Sequence, residues 1–177
     1  GLMLMEVLID IQHGAETVQH VPVEELANFV LKQEGAPDIS EVSISFINDD
    51  EMARLNAEFR GKEGPTDVLS FECDGDDEDF DLDFAVLQGL VYELGDIIVA
   101  PDVALRQSVE FGHSVEAEVS LLLVHALLHL MGYDHIEDDE AEEMEARERE
   151  LLGLWADAGH EEVRGVRDDT IRVRGEH

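Results

Sequence analysis

From Val115 to Met131 the chain reads VEAEVSLLLVHALLHLM, helical in period and apolar almost all the way round. A helix of that kind has no face to give to water, so the rest of the chain has to enclose it. The remainder is adequate for this. Of the residues, 44% are hydrophobic, near the globular average, and a length of 177 residues corresponds to one domain. The surface is set by 44 Asp and Glu against 11 Lys and Arg, a net charge of −33. No run reaches the roughly 18 apolar residues of a membrane span, and the apolar start is broken by Glu6 and Asp10 before it attains the length of a secretion signal. Cys73 is the only cysteine, so neither an intrachain disulfide nor a thiolate metal cluster can form. These features predict a soluble, cytoplasmic protein with no membrane association.

Around the central helix the pattern interleaves strands and helices. Leu4 to Ile11 reads as a strand, and Pro22 opens a helical pattern through Leu26, Phe29 and Val30. Glu41 to Ile47 alternates, with Val42, Ile44 and Phe46 on one face and Ser43 and Ser45 on the other, the mark of a half-buried strand. Asn48 followed by Asp49 and Asp50 caps a helix through Phe59. DVLSFE (67–72) and ELGDIIVA (93–100) read as two further strands, Pro101 to Phe111 as a short helix, and Asp138 to Leu152 as the last helix. The whole of 1–177 is therefore predicted to be a single α+β domain. It has a mixed sheet of about four strands with helices packed on it, a central metal-bearing helix, and a core spanning about 4–152. The stretch 73–91 is dense in acids without period and reads as a mobile insertion; it lacks the ligand order of an EF-hand. The tail 153–177, of mixed charge, is predicted to fray.

The central helix carries imidazoles in its apolar surface. His125 and His129 are four residues apart, so both leave one face of the helix about 6 Å apart along its axis. Gly132 permits a sharp turn, which lets His135 come back toward the same point. A lone histidine on such a helix is usually a core residue satisfied by a hydrogen bond. Two beside Val124, Leu128 and Leu130, with a third following, are better satisfied together by one divalent ion. Three neutral imidazoles fill three corners of a tetrahedron and leave the fourth for water, the arrangement of a catalytic zinc; nickel suits the same donors. The metalloprotease order H-E-x-x-H is not met, because Ala126 follows His125. Of the nearby carboxylates, Asp134 either orients a ligand or caps a turn, and Asp96 has a claim only if its strand ends near the metal.

These residues carry a resemblance. HALLHLMGYDH (125–135) resembles the H-G-x-L-H-L-x-G-Y-D-H signature of the YbeY-type bacterial endoribonucleases, the ribosomal RNA maturation factors. FRGKEGPTDVLSFE (59–72) is similar to that family's Y-R-x-x-x-x-P-T-D-V-L-S-F block, and LGDIIVAP (94–101) to its L-G-D-I block. The blocks are collinear, and the likeness runs from about residue 4 to 152. It implies a single-strand-specific, metal-dependent endoribonuclease acting in 16S rRNA 3′-end maturation and ribosome quality control. Its partners would be single-stranded RNA and the small ribosomal subunit with its associated factors. It also implies His125, His129 and His135 as ligands of one divalent ion, Zn2+ by preference, and Arg60 as the functional arginine. Ala126 stands where the family has Gly, and Phe59 where it commonly has Tyr.

Arg60 has a case of its own. Arg54, Arg60 and Lys62 gather against a single acid, Glu58, within 54–62, a basic patch in an acidic chain, and a guanidinium grips phosphate through paired hydrogen bonds. Thr66 and Ser70 pattern the strand that follows. The overall acidity predicts weak binding to free RNA, since phosphate contacts rest on Lys and Arg. Two rival readings stand beside the nuclease: a non-catalytic ribosome-assembly factor with a structural metal, and a metal-dependent hydrolase of another substrate. Sequence leaves the general base and the oligomeric state open.

Overall fold

The computed structural model describes residues 5–73, 82–133 and 137–166. Four strands form one mixed sheet in the order β1-β2-β4-β3, where β1 is Glu6–Ile11, β2 Ser40–Phe46, β3 Val68–Glu72 and β4 Tyr92–Val99. The first three neighbours in that order run parallel, and β3 closes the sheet antiparallel to β4. The α+β architecture with a four-stranded mixed sheet is as the sequence predicts.

Strand alternation assigns the two faces. Val42, Ile44 and Phe46 of β2 are buried with Val68 of β3 and Ile97 and Val99 of β4 in the main core. Between β2 and β4 the register passes from Glu41↔Glu93 to Val42↔Gly95, so Leu94 is an extra residue in β4. This bulge lets Leu94 and Ile97, three apart, both lie in the core, which simple alternation forbids. The opposite face carries Leu69, Phe71 and Ile98, packed with Met52 and Leu55 from helix α3, Asp49–Arg60. The Asn48 side chain accepts the Glu51 amide at 2.9 Å and caps that helix.

The core face is covered by α2 (Val23–Gln33), α6 (Val115–Leu130) and α7 (Asp138–Asp157). All but a few residues of α6 are buried, as its uniform apolarity demands. A short α1 (Ala15–Val18) follows β1, α4 is Leu82–Gln88, and α5 (Pro101–Phe111) meets α6 at 115°. At that corner Gln107 Nε2 donates to Asp67 Oδ2 (3.2 Å) and to Glu118 Oε2 (2.8 Å), tying two buried carboxylates together. Among the described residues no single helix is long and apolar enough to cross a membrane.

Two expectations are corrected. The stretch 73–91, read as a mobile insertion without period, contains helix α4, Leu82–Gln88; its residues 74–81 lie outside the described residues. The last helix does not end at Leu152 but runs to Asp157, followed by a 3-10 helix, Glu161–Val163. This part of the predicted frayed tail is packed: Trp155, Val163 and Val166 are buried in the core. The Trp155 ring meets Phe29 at 5.0 Å and stacks on His160 at 3.8 Å. Few but large apolar contacts hold it. Residues 167–177 lie outside the described residues.

Candidate metal centre

Helix α6 places His125 and His129 on one face with ring centroids 4.7 Å apart and planes at 83°. Each ring is held through Nδ1. In His129, Nδ1 lies 3.1 Å from the Tyr133 carbonyl oxygen. That carbonyl only accepts, so Nδ1 carries a proton, and in the neutral ring the lone pair is then on Nε2. In His125, Nδ1 lies 2.5 Å from Glu148 Oε1 of α7, and a carboxylate sets the same tautomer. Both Nε2 atoms are buried. In their neutral form the two imidazoles offer the donor nitrogens that zinc or nickel takes.

The turn that sequence predicted at Gly132 is present. Gly132 has φ 101, its amide donates to His129 O at 3.0 Å, and the Tyr133 amide returns to Leu128 O at 3.0 Å. This backbone path is what brings the Tyr133 carbonyl back over the His129 ring. The Tyr133 phenol has its pKa raised, first by burial and then by the Glu34 carboxylate against it. Glu34 also accepts from Arg147 Nε and Nη2 of α7, each at 3.2 Å, and holds the Arg147 pKa above its ordinary value. Helices α2 and α7 and the turn after α6 are therefore tied beside the two rings.

His135, the third ligand by sequence, and Asp134 lie outside the described residues. Asp96 does not meet its condition: it sits within β4, paired with Ser43 and Phe71, on the sheet face turned away from α6. There it lines a groove of about 370 Å³ with Ser43, Ser45 and Phe59. Arg60 is the last residue of α3, ended by Gly61 at φ 65, so it enters from the helix on that other face. The basic patch is smaller than the sequence suggests, because Arg54 is bound to Glu51 (2.5 Å) and Glu58 (3.1 Å).

Glu148 was not singled out in the sequence, although a signal existed. Met144, Glu148, Leu151 and Leu152 form the inward stripe of α7, and an acid on an apolar stripe calls for a partner. The acids crowding the rest of that helix conceal it.

The family model described as Endoribonuclease YbeY matches residues 9–156. A curated endoribonuclease YbeY of Frankia alni is 40% identical over 153 residues, covering 85% of this chain and 83% of that protein. One of Bacillus subtilis is 38% identical over 155 residues, covering 85% and 97%. Among solved structures, the solution structure of TM1509 from Thermotoga maritima aligns with a TM-score of 0.53 and 25% identity, over 97% of this chain and all of that one. With a matched region that takes in nearly all of the sheet, His125, His129 and Glu148, the chain belongs to the endoribonuclease YbeY family.

Proposed function

We propose that the protein is a metal-dependent endoribonuclease that cleaves single-stranded RNA, with the 3′ end of 16S rRNA in the small ribosomal subunit as its cytoplasmic substrate. The observation that carries the reading is the pair of part-buried imidazoles on α6, each bonded through Nδ1 so that the buried Nε2 is left as the donor atom. His125, His129 and His135 would hold one divalent ion, by preference Zn2+. Bound there, it supplies Lewis acidity and brings the pKa of a coordinated water down to roughly 7. The absence of a glutamate at Ala126 disfavours the peptidase rival. Membership of the family favours RNA as substrate, and the rRNA assignment rests on the resemblance of the three sequence blocks.

The chain's own contributions follow from its chemistry. The Arg60 guanidinium, at the end of α3, binds a phosphate of the RNA strand and anchors the substrate. The Nδ1 contacts to Glu148 and to the Tyr133 carbonyl hold the two rings in orientation, and the packing of α6 into the core fixes the helix that carries them. The net charge of −33 opposes RNA at long range. With a screening length of about 8 Å at physiological ionic strength, the sign close to the scissile phosphate matters more than the total. Binding is then weak for free RNA and is assisted by the ribosomal context.

The test is a comparison of bound metal and single-stranded RNA cleavage in the wild type, His129→Ala and Arg60→Glu. The proposal requires the first variant to lose both and the second to keep the metal while losing cleavage. Cleavage that persists in metal-free His129→Ala would overturn it.

A further inference from the structure

Glu148 is fully buried on α7, 23 residues from the imidazole it meets. A carboxylate in such surroundings is expensive to keep ionised without charge or strong hydrogen bonding opposite it. Yet the stripe of α7 that it occupies is otherwise apolar, with Met144, Leu151 and Leu152. A leucine there would fill the space without that penalty, so packing alone does not account for an acid. What the acid does face is Nδ1 of His125 at 2.5 Å, the nitrogen remote from the donor atom. The helix is held in position at the adjoining residue: Arg147 bonds both oxygens of Glu34 and, through Nη2, the Gln33 carbonyl at 3.2 Å. The carboxylate is thereby presented from a fixed platform rather than from a loop.

We infer that Glu148 is the positioning residue of the metal centre: a buried carboxylate that accepts the His125 Nδ1 proton, fixes the ring's tautomer and rotation, and makes Nε2 a stronger donor to a divalent cation. At His129 the corresponding Nδ1 meets the neutral Tyr133 carbonyl, so the Nδ1 partners of the two rings differ in charge. This inference rests on the metal reading above.

The experiment measures zinc affinity by competition with a chromophoric chelator for the wild type, Glu148→Gln and Glu148→Ala, with circular dichroism confirming the fold. The glutamine carbonyl can still accept from Nδ1–H, so Glu148→Gln holds the tautomer and loses the charge; it should bind zinc about 3- to 10-fold more weakly. Glu148→Ala loses both and should weaken binding by about 10- to 100-fold, the range typical of outer partners of ligating histidines. The nitrogen-15 NMR signals of His125 should report the Nδ1–H tautomer in the wild type and in Glu148→Gln. A folded Glu148→Ala with wild-type zinc affinity would overturn the inference. If it does not fold, Glu148→Gln with unchanged affinity, or with the other tautomer at His125, would do so. A wild type that takes up no zinc, or whose uptake survives His129→Ala, would instead remove the metal reading itself.

Discussion

Gly95 sits at the bulge of β4 with φ 147, and a Cβ placed on it would lie 2.2 Å from the Phe71 carbonyl oxygen and 2.9 Å from Leu130 Cδ2. The first neighbour is backbone, so relief requires β3 to move about 1 Å away where Glu72 pairs with Gly95. That loosens one or two ladder hydrogen bonds, each contributing about 1 kcal/mol net. Alanine at this φ adds about 1–3 kcal/mol of backbone strain, and displacing Leu130 costs about 1 kcal/mol as an overpacked core contact. Gly95→Ala is therefore expected to destabilise by about 4 kcal/mol, or roughly 8–16 °C in Tm for a chain of this size. Because Leu130 follows His129, zinc affinity should fall as well. The same substitution at Gly153 in α7 meets no atom within 4 Å and should stabilise the helix by about 0.5–1 kcal/mol. Thermal unfolding followed by circular dichroism measures both. A Gly95→Ala protein melting within about 2 °C of the wild type would refute the close-approach argument, and so would two variants shifted equally.

Three further outcomes follow. Glu41 lies directly between Glu6 and Glu93 across three strands, and its pKa is raised by burial and then by those two neighbours. A raised folded-state value means that stability falls as pH rises through it. Glu41→Gln should thus raise Tm by about 1–3 °C at pH 7, with the gain vanishing below about pH 4; a gain that persists there would contradict the assignment. Ending the chain after Asp157 removes Val163 and Val166 from the core, which should cost about 3 kcal/mol or more and red-shift the fluorescence of Trp155, the only tryptophan. Binding of an unstructured RNA oligonucleotide should show a log–log salt slope of only about −1 to −2, as for one to three phosphate contacts; a slope steeper than about −4 would mean that a large cationic surface had been overlooked.

Much of the fold was legible because its elements announce themselves through period. β2 alternates without exception, α3 has its Asn48 cap, and α6 is apolar all round, and each is found where the pattern places it. The bulge was not legible, since Leu94, set between Glu93 and Gly95, reads like an inward residue of an ordinary alternating strand. It is identified only by its pairing across to Val42. The docked segment after Gly153 was misread because its anchoring residues, Trp155, Val163 and Val166, are widely spaced, the two valines standing among charges and glycine. Three buried side chains without a period look like a tail.

The candidate site divides in the same way. His125 and His129 were legible from a spacing of four on one helix, because a helix converts that spacing into a shared direction. Glu148 was not, because its meaning depends on a partner on another helix, and in a chain with 44 acids one more carries no signal. The acidity misled in the opposite sense at Arg54, where apparent surplus positive charge is taken up by Glu51 and Glu58 on its own helix. In such a chain the composition describes the solvated surface, and most carboxylates are there for water. The informative acids are those that water does not reach. Asp67, Glu118 and Glu148 are all buried, two joined by Gln107 at the corner that sets the direction of α6 and one against the ring of His125. Burial, rather than number, separates the carboxylates that tie helices and a candidate ligand in place from those that only charge the surface.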